Sequence, residues 1–383
     1  MTKLYWFSIG LTGFIYFGFP VIMYLLAQLF GKEPQQGGIA PFVSMIIAVH
    51  NEERVIRDKM LNSLALDYAQ DKLEIIFTLD GCTDKTYQLL SGFKDPRITI
   101  VNNHERVGKV ATLNKTVPLA KGEIIVFSDA NSIYDPGALR KLTRNFTSDK
   151  VGCVAGRLSY TDTDNTSVGK GESLYWKYET FIKIQESKLG KLLITNGSIQ
   201  AVRKNAYPYP NPEVADDFSV PLLIQTKGYK VLYEPEAVAY EVATQSLKEE
   251  LAQKVRIVSQ GFKGVKYLWK QLLALNPLGI FELLFHKVLR WGVAFYMALA
   301  FLFNIALINE PLYLYLFILQ IAFYLLAITG FLLRNTNKIK IFYIPFYFCL
   351  VNFAAVIALF KFLCKEDTKT WDKAHTTRVG EAR

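Results

Sequence analysis

Glu123-Ile-Ile-Val-Phe-Ser-Asp-Ala-Asn-Ser132 is the stretch on which the reading of the fold turns. Residues 124–128 have the pattern of a buried strand. The run stops on a carboxylate, Asp129, with an amide, Asn131, two places further on. A buried strand that ends on an acid sets that acid at the carboxyl edge of a sheet, where open α/β sheets bind their ligands. A carboxylate there can hold a divalent cation that in turn holds a phosphate. The plainer alternative is a strand followed by an Asx turn, which Asp and Asn favour unaided.

Outward from this stretch the pattern repeats. Residues 43–49 are a continuous apolar run, as in a strand covered on both faces, followed by His50-Asn-Glu-Glu53 and a helical pattern to about residue 66. Residues 74–79 form a second run ending at Asp80, and 81–86 turn into a helix for which Asp84 is a suitable N-cap. Residues 98–101 read as a third strand and 108–119 as a helix carrying Lys109. Asp135-Pro136 is expected to open a further helix, with Pro at its first position. Residues 151–158 read as another strand. Strand and helix alternate, so the fold class is α/β with a mostly parallel, doubly wound sheet. Residues 171–193 read as a long mixed helix and 195–198 as a turn before 199–203. Residues 219–226 form a helix preceded by Val214-Ala-Asp-Asp-Phe218, and 229–233 are the last strand. This less regular half is read as part of the same domain.

The two ends are different in kind. The chain has 383 residues, 51% of them hydrophobic, with net charge +10, and the hydrophobicity concentrates at the termini. Residues 4–30 carry no charge and are long enough to cross a hydrocarbon layer of about 30 Å. The run is too long for a signal peptide and no small-x-small site follows it, so a retained membrane helix is expected. Residues 31–38 are a breaker-rich linker. Residues 246–273 form a basic amphipathic helix, or two with a break near Gly261 and Gly264, suited either to a membrane interface or to packing on the domain. Residues 291–308, 312–333 and 341–360 each have the length of a span, with Pro345 marking the last as a candidate re-entrant segment. Arg334, Lys338 and Lys340 favour the cytoplasm for their loop. That sets the basic segment 361–383 on the opposite side, against the same rule, and its side stays open. The plan is therefore 1–38 helix and linker, 39–245 cytoplasmic domain, 246–287 interfacial helices, 288–362 about three membrane helices, and 363–383 a polar tail. The chain is accordingly expected in a cell membrane of bacterial inner-membrane type.

Several classes are excluded. The four Cys are scattered, with neither disulfide nor zinc spacing, and the four His are too dispersed to build a metal site. The turn after the first strand lacks the Gly-x-Gly-x-x-Gly of a dinucleotide oxidoreductase. A transporter needs polar groups in its spans, which offer little beyond Asn304, Gln320 and Asn352. The basic charge lies beside membrane helices, where anionic lipid and not nucleic acid explains it.

In order along the chain, residues 43–53, Asp80-Gly-Cys-Thr-Asp-Lys-Thr86, Gly108-Lys-Val-Ala-Thr-Leu-Asn114, Ser128-Asp-Ala-Asn131, Ala215-Asp-Asp217 and Gln253-Lys-Val-Arg256 resemble the motifs of membrane-bound family 2 glycosyltransferases related to bacterial polysaccharide synthases. Each motif falls at the strand edge or loop that its role requires. The resemblance covers about residues 41–261 and the membrane plan. It implies a nucleotide-diphospho-sugar-binding domain of GT-A type, flanked by transmembrane helices. His50, Glu52, Asp80, Lys109 and Asp129 are then donor-binding, with Asp129 and Asn131 at the metal position for Mg or Mn. Asp217 is the general base with Asp216 beside it. Gln253 and Arg256 line the acceptor side or steady the diphosphate.

The chemistry suits these residue types. Charge builds on a diphosphate leaving group, and a metal ion and a cation absorb it. A hydroxyl is a poor nucleophile until a carboxylate takes its proton. The implied activity is inverting transfer from a nucleotide-sugar donor, expected to be a UDP-sugar, to a lipid or glycan acceptor at the membrane, in cell-surface glycan or exopolysaccharide assembly. The alternatives are a processive synthase that also translocates its polymer and, outside the class, a non-enzymatic membrane scaffold. Two positions depart from the family pattern: Asn131 is a neutral ligand where the family has a second acid, and Ile257 stands where processive members carry Trp. Each acid also has a plainer reading, Asp80 and Asp84 as turn and helix caps, Asp216 and Asp217 as acids at a helix N-terminus.

Overall fold

The computed structural model describes residues 1–161, 167–244, 246–334 and 339–365. The apolar runs form β1 (Val43–Val49), β2 (Leu73–Asp80), β3 (Ile98–Asn103) and β4 (Ile124–Asp129), parallel to one another in the order β3-β2-β1-β4. Every residue of β1 and β2 is buried. Met45, Ile47, Phe77 and Val126 pack on one face against Ile56, Met60, Leu139 and Leu142. Ile46, Ile76, Ile125 and Phe127 pack on the other against Leu113, Val117, Val220 and Ile224. Helices on both faces are what make these strands apolar throughout instead of alternating.

The sheet does not stop at β4. β5 (Ile133–Tyr134), β6 (Val151–Thr161), β7 (Ile199–Arg203) and β8 (Lys230–Val242) extend it in the order β4-β7-β6-β8-β5. β7 is antiparallel to both β4 and β6, β6 and β8 are parallel, and β5 closes the edge antiparallel to β8. One sheet, mostly parallel with antiparallel insertions, thus joins residues 43 to 242. Two local expectations are corrected. The helix after Asp135-Pro136 begins at Ala138, because Asp135 Oδ1 accepts from the Gly137 amide (3.2 Å) and holds Pro136 in a turn. The last strand runs to Val242, nine residues beyond the expected end at residue 233, paired with β6 through a register shift between Gly156 and Arg157.

Three helices, Thr2–Phe30, Pro311–Leu332 and Lys340–Leu363, are long and apolar enough to cross a membrane. Pro345 lies inside the last without ending it. Residues 291–308 follow a bend and qualify as a span only together with the helix before them. Pro277–Trp291 and Val293–Ala306 meet at 59° across Gly292. The 14 residues of Val293–Ala306 reach only about 21 Å at 1.5 Å per residue. Leu247–Leu272 is one helix and has no break at Gly261 or Gly264. These glycines instead let rings approach: a Cβ on Gly264 would lie 2.5 Å from Phe218, and one on Gly261 would collide with Trp291. Val255 and Val258 of this helix pack on Ala354, Ala355 and Ala358, while Ile257, Tyr267 and Trp269 stay exposed. The expected tail 363–383 lies outside the described residues beyond 365.

Candidate active site

The parallel order brings the carboxyl ends of β1, β2 and β4 side by side. Ala48 of β1 stands level with Asp129, and Val49 with Leu79. His50 Nδ1 donates to the Asp80 carbonyl (2.6 Å), which fixes its tautomer. Asn51, with φ of 51°, accepts at Oδ1 from the Thr83 amide (2.7 Å) and so ties the loop after β1 to the loop after β2. The buried Glu52 receives support at its backbone, its amide donating to Thr86 Oγ1 (2.8 Å). Asp80 is occupied with its neighbours. Its carboxylate accepts from the amides of Val107 (2.7 Å) and Gly108 (3.0 Å) and from Thr112 Oγ1 (3.1 Å). Asp80 thereby holds the loop that leads into Lys109–Thr116, and Gly108 takes φ of 93° to enter that helix.

Lys109, on the first residue of this helix, reaches across the sheet edge. Its Nζ lies 2.7 Å from Asp129 Oδ1 and 3.3 Å from Asp216 Oδ2. Burial works to lower the lysine pKa, but the Asp129 and Asp216 carboxylates outweigh it and hold the ammonium well above its ordinary range. Asp216 and Asp217 open the helix Asp216–Thr226, whose N-terminal end favours acids. Asp217 is pushed up to about 6, by burial first and then by Asp216, against the pull of Lys109, Lys183 and Arg256. A carboxyl poised there can accept a proton near neutral pH.

Because β7 is antiparallel, its leading turn 195–198 arrives at the same edge as Asp129. Ser198 Oγ donates to Asp129 Oδ2 (3.0 Å), and Lys109 Nζ donates to the Gly197 carbonyl (3.4 Å). The Thr195 amide donates to the Asp217 carbonyl (3.0 Å) and its hydroxyl to Gln200 Oε1 (2.8 Å), while Gln200 Nε2 donates to Asp216 Oδ2 (3.3 Å). Behind β4, Lys59 is fully buried and donates to Ser128 Oγ (2.7 Å) and the Ser132 carbonyl (2.5 Å), bracketing the turn that carries Asp129 and Asn131. Burial pushes this lysine down to about 7, against Asp129 and Glu241.

The structure therefore gathers Asp129, Lys109, Asp216 and Asp217 at one edge, with His50, Glu52 and Asp80 beside them at the ends of β1 and β2. Arg256 is among the cations acting on Asp217. Gln253, one turn earlier, is half-buried, and its Oε1 has no hydrogen-bond partner among the described residues. Asn131 is half-buried in the turn after β4. Sequence reasoning missed Asn51, Lys59, Lys183 and the turn 195–198, whose partners are distant in the chain. Among the described residues no group of three His, Cys, Asp or Glu side chains is placed to hold a metal ion. The donor set still fits Mg or Mn in one respect: such ions are commonly held by one or two carboxylates plus substrate phosphates, and Asp129 offers a carboxylate at the ligand edge of the sheet.

The family model of Glycosyl transferase family 2 matches residues 44–208. A poly-beta-1,6-N-acetyl-D-glucosamine synthase of Staphylococcus aureus is 25% identical over 261 residues, 64% of this chain and 61% of that protein. A beta-monoglucosyldiacylglycerol synthase of Nostoc is 28% identical over 204 residues, 52% of this chain and 43% of that protein. The match thus spans less than two thirds of each relative's length. A mannosyltransferase from Pyrobaculum calidifontis, solved with GDP-Man and Mn2+, superposes with a TM-score of 0.71 at 21% identity, over 95% of this chain and all of that one, which shows the fold to be of GT-A type.

Proposed function

We propose that this chain, whose residues 44–208 match the model of Glycosyl transferase family 2, catalyses inverting, metal-dependent transfer of a sugar from a nucleotide diphosphate, a UDP-sugar, to a membrane-associated lipid or glycan acceptor. The observation that carries this reading is Lys109 bridging Asp129 and Asp216, with Asp217 next in the chain. That arrangement sets a cation and a carboxylate for a diphosphate beside a second carboxylate tuned toward neutral pH. A bound Mg or Mn, held by Asp129 and Asn131, would neutralise charge on the leaving diphosphate. Lys109 supplies a fixed positive charge at the same place. Asp217 takes the proton of the acceptor hydroxyl as its oxygen attacks the anomeric carbon, and Asp216, fixed by Gln200 and Lys109, supports it. His50, Glu52 and Asp80 face the nucleoside side, Asp80 chiefly by holding the 107–112 loop. Gln253 and Arg256 line the acceptor side or steady the diphosphate. The apolar helices support a membrane-embedded protein, and with it we propose a cytoplasmic domain at 39–245, interfacial helices at 246–287, and cell-surface glycan assembly as the setting.

The test is a panel of UDP- and GDP-sugars, with and without Mn2+, on the full chain in detergent, read by thermal shift and by nucleotide release. Asp217→Asn is expected to keep the donor-dependent shift and to lose transfer by about three orders of magnitude, the upper range for a general base. Turnover retained by that variant sinks the assignment of the base. The polymer synthase among the relatives favours a second reading, processive synthesis, which sizing of the products separates from single transfer.

A further inference from the structure

Lys183 is a buried cation beside the carboxylates to which that reading gives no task. It lies on the helix Ser167–Lys188 and is 5% exposed. Its Nζ donates to Asn196 Oδ1 at 3.1 Å. Asn196 is itself fixed, since its Nδ2 donates to the Gly156 carbonyl (3.0 Å). The rings of Trp176 and Tyr233 flank the ammonium at 5.9 and 5.7 Å. An ammonium carries three donors, and among the described residues Asn196 is the only hydrogen-bond acceptor within reach. The other buried cations nearby are paired: Lys287 and Arg290 with Glu179, and Lys254 with Glu250. Burying an ammonium whose donors are not all used is costly, so the arrangement is poised for an incoming oxygen.

Its place says which oxygen. Thr195, the residue before Asn196, binds the Asp217 carbonyl through its amide (3.0 Å). One turn therefore fixes the Lys183 ammonium and the Asp217 backbone together. The groups acting on Lys183 are Lys287, Glu179, Glu186 and Asp217, and those acting on Asp217 are Asp216, Lys109, Lys183 and Arg256. We infer that Lys183 is a further catalytic residue, donating a hydrogen bond to the oxygen of the acceptor hydroxyl that Asp217 deprotonates. The inference rests on Asp217 as the base. The hydroxyl proton passes to Asp217, the oxygen forms its bond to the anomeric carbon, and the electron pair of the broken bond leaves with the diphosphate. Lys183 keeps its proton throughout, and its charge also favours the ionised form of Asp217.

The test uses the full chain in nanodiscs with Lys183→Met and Lys183→Arg, and Asp217→Asn as reference. One arm follows the carboxyl infrared band that Asp217→Asn removes. Its midpoint, expected near 6 in the wild type, should rise by about one unit in Lys183→Met, the scale of one lost charge several ångströms away, and stay in place in Lys183→Arg. The other arm measures nucleotide released to water from UDP-N-acetylglucosamine or GDP-mannose with Mn2+. It should fall about tenfold in both variants, because Arg keeps the charge but not the position of the donors, while donor affinity is unchanged. A midpoint that stays put in Lys183→Met, or release that is unaffected in both variants, overturns the inference. Release that persists in Asp217→Asn alongside a shifted midpoint instead refutes the base and leaves the coupling of Lys183 to Asp217 standing.

Discussion

In the parallel half of the sheet the site is held through backbone groups close in sequence to the strands, with the carboxylate of Asp80 gathering the amides of Val107 and Gly108. In the antiparallel half it is held through side chains bonded to side chains: Ser198 to Asp129, Thr195 to Gln200, Gln200 to Asp216. The first arrangement needs an acid at a strand end and a glycine able to turn the chain. The second needs several particular residues at once, brought together only by the reversal of β7. The donor side should therefore fail by losing stability, and the carboxylate side by losing chemistry while the fold survives.

Asp80→Ala attacks the first half. It leaves the Val107 and Gly108 amides and the Thr112 hydroxyl without their acceptor. With hydrogen bonds to a charged group worth about 1.5–3 kcal/mol each, we expect a loss of at least about 4.5 kcal/mol and a clear drop in melting temperature. A melting temperature equal to the wild type would remove the contrast drawn here. Gly197→Ala attacks the second half. A Cβ there would lie 3.0 Å from Lys109 Nζ and 3.2 Å from Asp216 Oδ2. The flexible ammonium is the group that gives way, so the bridge between Asp129 and Asp216 opens. Nucleotide release should fall about 30-fold, about 2 kcal/mol of barrier, with the melting temperature close to the wild type. A large loss of stability would show the turn to be part of the core.

The same contrast governs what the sequence disclosed. β1, β2 and β4 were legible because burial on both faces leaves continuous apolar runs, and the acids Asp80 and Asp129 stand directly at their ends. Lys109 was legible as a cation near the diphosphate, but not its bridge to Asp216, which is set by the antiparallel entry of β7. Ser198 and Asp129 are 69 residues apart and Lys59 and Ser128 likewise, so no local pattern records either bond. Lys183 sits in a helix of mixed composition with no clean apolar face to mark it as buried. Residues 291–308 hid their bend for a different reason: hydropathy reports how apolar a segment is and is silent on the 59° turn at Gly292.

The remaining effect expected is a gain. Asp217 has a folded-state value of about 6 against an ordinary 3.8. A carboxyl raised in this way binds its proton more tightly in the folded state, so the wild type gains stability as pH falls from above 6 toward 4, and the ionised form is a burden at neutral pH. Asp217→Asn removes that burden. It should melt higher than the wild type at pH 7.5, by an amount equivalent to about 1–3 kcal/mol, and the two curves should converge near pH 4. The acid limb of nucleotide release in the wild type should fall off near the same pH of about 6, because one proton is responsible for both. Paired melting curves at the two pH values read this directly. If the variant shows no advantage at pH 7.5, Asp217 is not held against its own solvation, and the carboxylate side of the site is ordinary structure after all.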